Sequence, residues 1–308
     1  MGKFIVRRLA AAVAVAVCAT AVNAASVVPR DRDEELRPTG KGWGEREAPE
    51  AVTPKRAIEQ GPNGINYHGG PLLLQTPGVY YIWYGNWGTN SALTILPDLA
   101  QSIGGSPYFD INTTYFDGSN RHASGFINYL GSTTDSYSHG TALTDSAVQE
   151  VVSGAISSGK LPKDTNAVYF VLTSADVNET SGFCTQYCGW HTHGTVSGSD
   201  IKYAFVGNPD RCPSACAVQS IGPNGNAGAD GMASIISHEL EEAVTDPDLN
   251  AWYDRRGREN ADKCAWTYGT TSTAGNGAKY NMTLGTRNYL IQQNWVNASG
   301  GYCAKSYP

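Results

Sequence analysis

The chain has little charge and few long apolar runs. Only 16% of its 308 residues are charged. Beyond the first 25 residues, no segment reaches the roughly 20 apolar residues that span a bilayer. The 22 basic residues are outnumbered by 28 acidic ones, which argues against nucleic acid and anionic membranes as partners. The sequence also lacks a phosphate-binding glycine loop, a G-x-S-x-G motif and a papain-like cysteine, so it does not fit the common nucleotide-binding or nucleophile-based hydrolase patterns.

The first 24 residues have the pattern of a cleavable signal peptide. Three basic residues come first, an alanine- and valine-rich run covers residues 9–22, and alanines follow at positions 24 and 25. The run is short for a membrane helix. Removing the three basic residues leaves 19 basic against 28 acidic residues, a net charge near −9. We therefore expect a secreted protein, extracellular or in a cell wall, with no membrane contact after cleavage.

The cysteines predict disulfides. One of the seven, Cys18, lies in the signal peptide, which leaves an even number. A zinc site is the alternative interpretation of the two C-x3-C spacings. Six cysteines allow fifteen pairings; among these we favour two local pairs plus Cys264–Cys303. The six are Cys184, Cys188, Cys212, Cys216, Cys264 and Cys303.

Composition divides the rest of the chain in two. Fifteen of residues 26–61 are charged, and four prolines are scattered among them. Such a segment buries too little apolar surface to offset its ordering entropy, so we predict a disordered linker or pro-segment over residues 25–61. Residues 62–308 are long enough for one domain.

Strand and helix patterns alternate along that domain. Continuous apolar or aromatic runs predict strands at Val79–Tyr84, Ala167–Thr173 and Ile201–Val206. Apolar residues at helical spacing predict helices at Leu93–Ile103, from Thr144 onward, and at Asp230–Val244 with Asp230 as N-cap. This alternation predicts a single three-layer α/β domain with glycine-rich loops.

The last of these helices carries most of the candidate chemistry. On a helical wheel its apolar residues form one stripe, and Glu239 falls in the middle of that stripe. His238 and Glu242 lie along the edge of this apolar stripe, while Glu241 is predicted to face solvent. A buried carboxylate costs free energy unless something compensates it, and a metal ion is the simplest compensation.

The order H-E-x-x-E at residues 238–242 predicts a metal site. His238 and Glu242 lie one helical turn apart and can bind one ion, with Glu239 beside it as general base for a bound water. This is the logic of the H-E-x-x-H helix of zinc peptidases, with a glutamate in place of the second histidine. We therefore expect a zincin-like domain, a divalent metal, most simply zinc, and hydrolysis of peptide bonds.

A third ligand is expected downstream of the helix. Glu259 is the first choice because zinc peptidases often take a glutamate from a following helix. Asp262 would then orient the ligands, and Asp246 is an alternative ligand.

Two other interpretations stay open. The metal could be structural, such as calcium, or the protein could be a non-catalytic binder of cell-wall polysaccharide. The latter would use aromatic side chains as a stacking platform, although most large aromatics belong to cores. His191 and His193, in an H-x-H sequence, could be ligands on a strand, but we favour a surface loop. The candidate aromatics are Trp83, Tyr84, Trp87, Trp190, Trp252, Tyr253, Trp266 and Trp295.

Several stretches resemble one known family. They include YHGGP at residues 67–71, GFCTQYCGWH at 182–191 and PNGNAGADGM at 223–232. Over about residues 66–303 the chain is similar to the EXORDIUM (phosphate-induced protein) family. The resemblance implies an extracellular, cell-wall-associated protein linked to growth, without an established reaction. Glu259 matches a glutamate of that family, whereas the plant-type pattern lacks the H-E-x-x-E run, so the resemblance supports location and fold rather than catalysis.

Overall fold

The computed structural model describes residues 1–2, 37–41 and 61–308. Most of the predicted signal peptide and of the predicted linker lies outside the described residues. Within the described part, none of the helices combines the length and apolar character needed to cross a membrane.

The described elements are fifteen strands, four α-helices and three 3-10 helices. The strands are β1 Asn66–Tyr67, β2 Gly78–Tyr84, β3 Asn128–Asp135, β4 Ala142–Leu143, β5 Ala167–Thr173, β6 Asn178–Glu179, β7 Gly189–Val196, β8 Ser199–Val206, β9 Trp252–Tyr253, β10 Ser272–Thr273, β11 Lys279–Tyr280, β12 Met282–Leu284, β13 Arg287–Tyr289, β14 Asn294–Val296 and β15 Tyr302–Ala304. The α-helices are α1 Ala92–Ile103, α2 Asp145–Ser157, α3 Pro213–Cys216 and α4 Ala227–Thr245. The 3-10 helices are Phe109–Thr114, Pro209–Arg211 and Asp262–Cys264.

A five-stranded sheet in the order β3-β2-β5-β8-β7 forms the centre of the domain. All neighbouring strands are parallel except β7, which runs antiparallel to β8 at one edge. Every residue of β2 and β5 is buried, as expected of central parallel strands read from continuous apolar runs. Strand β3, at the other edge, alternates between exposed and half-buried residues. Ten further strands form two-stranded sheets around this centre.

The predicted strands and helices are confirmed, with one corrected helix start. Thr144 caps α2, because its Oγ1 accepts a hydrogen bond from the Ala147 N–H at 3.2 Å. Helix α4 begins earlier than expected, and its N-cap is Asn226, whose Oδ1 accepts from the Ala229 N–H at 3.0 Å. The prediction of Asp230 as N-cap is wrong. Asp230 lies within α4, after its first turn has begun, and its carboxylate accepts hydrogen bonds from Asn224 instead.

Helix α4 is buried around its whole circumference. It packs against α1 and against β7 and β8 of the sheet, and every residue from Gly228 to Thr245 is buried. The predicted solvent exposure of Glu241 is therefore wrong. The 3-10 helices Phe109–Thr114 and Pro209–Arg211 and strand β13 also contact α4. Glu241 Oε2 accepts a hydrogen bond from Asn294 Nδ2 at 2.6 Å.

Three disulfides staple the domain, as predicted, but their pairing differs from the favoured one. Cys264–Cys303 is present. The two C-x3-C sequences are joined to each other, as Cys184–Cys212 and Cys188–Cys216, so the prediction of two local pairs is wrong. Each of these bonds closes a chain separation of 28 residues and fastens the segment before β7 to the segment before α4.

Candidate functional site

Helix α4 carries three acid–base side chains into the interior. His238 and Glu239 are each 1% exposed and Glu242 is 0% exposed. The expected burial of Glu239 on the apolar stripe is thus confirmed. Close packing brings β7 to this part of the helix, because a Cβ at Gly189 would lie 2.5 Å from Ile235 Cγ2 and 3.1 Å from Glu239 Oε1.

Strand β7 supplies a histidine that sequence reasoning placed in a surface loop. His191 pairs with Ala204 of β8 in the sheet and is 1% exposed. Its Nδ1 lies 3.5 Å from Glu239 Oε2 and 3.4 Å from Glu242 Oε2, and its Nε2 lies 3.5 Å from Glu259 Oε1. The surface-loop prediction for His191 is therefore wrong. The available signal was the H-x-H spacing within WHTHGTV, a run that alternates as a strand does.

His193 does not join this cluster. It is half-buried at the sheet edge, and its Nδ1 lies 2.8 Å from Asp200 Oδ1. Asp200 and Asp248 are in turn paired with Lys202. A cation of the chain therefore already balances the charge around His193.

A second group forms around His238. Its Nε2 lies 3.1 Å from Glu242 Oε1 and 3.4 Å from Asp262 Oδ1. The loop that delivers Asp262 is tied to the helix, because the Asp262 N–H donates to Glu242 Oε1 at 3.0 Å. The Glu259 N–H in turn donates to Asp262 Oδ2 at 3.3 Å. These backbone contacts fix the orientation of the Glu242 and Asp262 side chains.

The predicted ligands are thus divided between two neighbouring groups that share Glu242. His238 and Glu242 lie together as expected, with Asp262 as their third member. Glu259 is turned towards His191. Their roles as metal ligands, and that of Glu239 as base, stay predictions.

Asp246 shapes the turn that follows α4. Its Oδ1 accepts hydrogen bonds from the main-chain N–H groups of Asn250 and Ala251, both at 2.6 Å. Its carbonyl oxygen lies 3.4 Å from His191 Nε2. Asp246 therefore lies at the border of the cluster and stabilises the turn beside it.

Burial shifts the pKa values of the carboxyl groups in and around the cluster. It raises the pKa of Glu239 to about 7 and those of Asp246 and Asp262 to about 6. Burial likewise raises the pKa of Glu259 well above its usual value. For Glu242 burial acts in the same direction, but the adjacent His238 and His191 outweigh it and lower its pKa to about 2. Glu242 is thus the carboxylate of this cluster whose ionised form its neighbours favour most.

Both histidines respond to the surrounding acids. Burial opposes a positive charge on His191 and His238, yet the neighbouring carboxylates, with Glu259 and Glu242 first, raise both pKa values well above the ordinary one. The cluster consists of two histidines and four acidic residues, namely His191, His238, Glu239, Glu242, Glu259 and Asp262. In the described part of the chain, no lysine or arginine forms an ion pair with any of them. Four carboxylates face two imidazoles, so the cluster would stay negative even with both imidazoles protonated.

Many polar atoms of the cluster are buried and lack a hydrogen-bond partner. Buried polar groups in proteins are normally paired, so several orphans that point at one another indicate a missing partner such as a cation. They include His191 Nδ1, His238 Nε2, Glu239 Oε2, Glu242 Oε2, Glu259 Oε1 and Asp262 Oδ1. Ligands held about 2.1 Å from one tetrahedral ion lie roughly 3.4 Å apart, and the separations of 3.1 to 3.5 Å between these imidazole and carboxylate atoms agree with that geometry.

Residues 37–41, which we call the N-terminal strap, lie against β7 beside the cluster. The His191 N–H donates to the Gly40 carbonyl at 3.0 Å. Lys41 Nζ contacts Asp145 Oδ2 at 2.5 Å and donates to Ser181 Oγ at 2.6 Å. It also lies 5.7 Å from the ring centre of Trp190. The strap is thus hydrogen-bonded to the β7 edge of the sheet, at the strand that carries His191.

The aromatic residues proposed as a sugar platform lie mostly in the interior. Six of the eight are buried, and Trp266 and Trp295 are half-buried. The ring of Trp295 is covered by Lys263, whose Nζ lies 4.2 Å from its centre. Polysaccharide binding therefore gains no support from these eight positions and stays a prediction.

Comparison with known proteins gives a consistent result. The sequence profile described as "Phosphate-induced protein 1 conserved region" matches residues 65–305. Protein EXORDIUM-like 3 of Arabidopsis thaliana is 34% identical over 281 residues, which cover 78% of this chain and 82% of the relative. Protein EXORDIUM-like 5 of the same plant is 33% identical, over 75% of both chains. Protein PHOSPHATE-INDUCED 1 of Nicotiana tabacum is 28% identical over 61% of this chain and 67% of its own length.

No solved structure matches the chain significantly. The profile match extends from β1 to the end of the described domain and includes both C-x3-C sequences, α4 and the Glu259–Asp262 loop. The chain therefore belongs to the EXORDIUM (phosphate-induced protein) family.

Proposed function

We propose that this protein is a secreted metal-dependent hydrolase that cleaves peptide bonds outside the cytoplasm. The observation that carries the proposal is the buried cluster of two imidazoles and four carboxylates, whose facing atoms lack hydrogen-bond partners. A divalent cation bound among them would pair those atoms and balance their charge. Three disulfides and the family membership are consistent with an extracellular location.

The residues present fit a divalent metal. His238, Glu242 and Asp262 offer one nitrogen and two oxygen atoms, a ligand set suited to zinc or manganese. When bound, such an ion supplies Lewis acidity and lowers the pKa of a bound water. The zincin-like arrangement is supported by the H-E-x-x-E helix lying next to an antiparallel edge strand, β7.

The chain's own residues then have distinct tasks. Glu239, the next residue after His238 and buried in the same cluster, would accept the proton that the attacking water loses. Its raised pKa, about 7, suits a group that both takes and returns a proton near neutrality. His191, whose Nδ1 lies 3.5 Å from Glu239 Oε2, would help to position that carboxylate. In the hydrolysis, the water oxygen bonds to the carbonyl carbon, the C–N bond breaks, and Glu239 returns the proton to the leaving nitrogen.

The test compares two glutamates on one helix. Both Glu241 and Glu242 are buried on α4, but only Glu242 belongs to the cluster. The full chain, Glu242→Gln and Glu241→Gln are purified from an exporting host, analysed for metal by mass spectrometry, and incubated with a peptide library. We expect metal and peptide cleavage in the wild type and in Glu241→Gln, and loss of both in Glu242→Gln. A wild type that takes up neither zinc nor manganese after soaking would sink the proposal.

A further inference from the structure

The geometry points to two divalent ions in this centre rather than one, bridged by the carboxylate of Glu242. The inference rests on the proposed metal-dependent function and adds a second site that has its own ligands. The first site consists of His238, Asp262 and Glu242, and the second of His191, Glu239 and Glu242.

The two sites do not compete for atoms. The first uses His238 Nε2, Asp262 Oδ1 and Glu242 Oε1, and the second uses His191 Nδ1, Glu239 Oε2 and Glu242 Oε2. Glu242 is the only residue common to both, and it turns a different oxygen to each histidine, at 3.1 Å towards His238 and at 3.4 Å towards His191. A carboxylate with one oxygen on each of two ions is the usual bridge of centres whose ions lie about 3.5–4 Å apart.

The second group has the orphaned atoms expected of a real site. His191 Nδ1, Glu239 Oε2 and Glu242 Oε2 are all buried without a hydrogen-bond partner. One ion at the His238 site would leave these three atoms unpaired, at the free-energy cost that buried polar groups carry. The side chains of His191, Glu239 and Glu242 are at most 2% exposed, so bulk water does not pair them instead.

Charge balance supports the same number of ions. Histidine binds metal as the neutral imidazole, so the ligated cluster carries the charge of its carboxylates alone. These are Glu239, Glu242, Glu259 and Asp262, four negative charges, and the buried Asp246 adds a fifth at the border of the cluster. Two divalent cations would balance the four carboxylates of the cluster and leave only that of Asp246, whereas one cation would leave three negative charges buried without compensation.

The second ion does not remove the catalytic role proposed for Glu239. Only Oε2 of that carboxylate faces His191 and the second site. Its other oxygen, Oε1, lies on the side of Gly189 and is not among the atoms assigned to either ion. Glu259 Oε1, 3.5 Å from His191 Nε2, would fix the ring so that Nδ1 faces the ion.

The stoichiometry of Mn²⁺ binding to the full chain tests the inference. We expect two Mn²⁺ per chain in the wild type and one in each of His191→Ala and His238→Ala, because each variant removes a ligand of one site only. Glu241→Gln, which changes a buried neighbour outside both sites, should still bind two. Circular dichroism identifies any variant that fails to fold.

Electron paramagnetic resonance of the Mn²⁺-loaded wild type gives a readout that needs no variant. Two ions bridged by Glu242 should give the exchange-coupled spectrum of a manganese pair. A single uncoupled ion in the wild type, lost in His238→Ala and kept in His191→Ala, would overturn the two-ion inference and leave the proposed function standing. No bound Mn²⁺ and no bound Zn²⁺ would overturn both.

Discussion

The main-chain N–H of His191 donates to the carbonyl oxygen of Gly40 at 3.0 Å, so the N-terminal strap is hydrogen-bonded to the strand that carries the cluster. Gly40 has a positive φ of 69°, and a Cβ there would lie 1.9 Å from the His191 carbonyl oxygen. Gly40→Ala should therefore displace the strap. We expect hydrogen exchange at the His191 amide to accelerate by at least about tenfold.

Gly159→Ala is the matched control for that experiment. Gly159 has a φ of 72°, close to that of Gly40, but a Cβ there meets nothing within 4 Å. The control therefore carries the same backbone strain without the collision. Equal exchange at the His191 amide in the two variants would contradict a docked strap.

Metal removal should lower the thermal stability of the wild type. A ligand present at 100 times its Kd stabilises the native state by about 2.7 kcal/mol. For a domain of this size that corresponds to roughly 5–10 °C in Tm. We expect chelation to lower the Tm by this amount and added zinc to restore it, as followed by calorimetry. Glu242→Gln should show no response to either treatment; a response equal to that of the wild type would mean that the ion binds elsewhere.

Gly189→Ala should separate β7 from α4. The new Cβ would meet Ile235 Cγ2 at 2.5 Å and the Phe205 carbonyl oxygen at 2.9 Å, and overpacking of this kind costs about 1–3 kcal/mol. Urea denaturation measures the change in the free energy of unfolding. Gly154→Ala, where a Cβ in α2 meets nothing within 4 Å, should be neutral or stabilising. A neutral Gly189→Ala would show that the contact is looser than described.

The disulfide pairing can be checked without any substitution. Trypsin can cut after Lys202 and Arg211, between the two C-x3-C sequences. Because Cys184 pairs with Cys212 and Cys188 with Cys216, a non-reducing digest should contain the two peptides joined, and reduction should separate them. Two unlinked peptides before reduction would instead indicate local pairs.

Asp230 should make the domain less stable as the pH rises above about 4. Burial raises its pKa from the ordinary 3.8, so the native state holds this proton more tightly than the unfolded chain does. The free energy of unfolding then falls as the pH rises from the unfolded pKa to the folded one, and levels off above it. Asp230→Asn lacks this ionisation. Its stability relative to the wild type should therefore improve between pH 3 and pH 6.5 in urea denaturation, and a constant difference would contradict the raised pKa.

The sequence predicts those parts of the site that one helix determines. The position of Glu239 on the apolar stripe indicates its burial, and the spacing of His238 and Glu242 places both on one side of α4. The central strands can be predicted from the sequence equally well, because parallel strands buried on both faces need continuous apolar runs.

What the sequence leaves open depends on contacts between distant segments. A helical wheel assumes that a helix packs on one side only, so it predicts that Glu241 faces solvent. In the structure the side chain of Asn294 and the 3-10 helix Phe109–Thr114 cover that side. The sequence predicts His191 as a member of the site only when the H-x-H sequence is assigned to an edge strand. The division of Glu259 and Asp262 between two histidines depends on the turn of the loop before Cys264, for which no periodic signal exists.

The all-round burial of α4 also bears on when a metal could enter. The cluster draws on β7, α4 and the Glu259–Asp262 loop, which are complete only after most of the domain has been synthesised and stapled. The complete ligand set therefore exists only in the folded domain, so metal binding would follow folding, and the folded chain is the form that binds an ion.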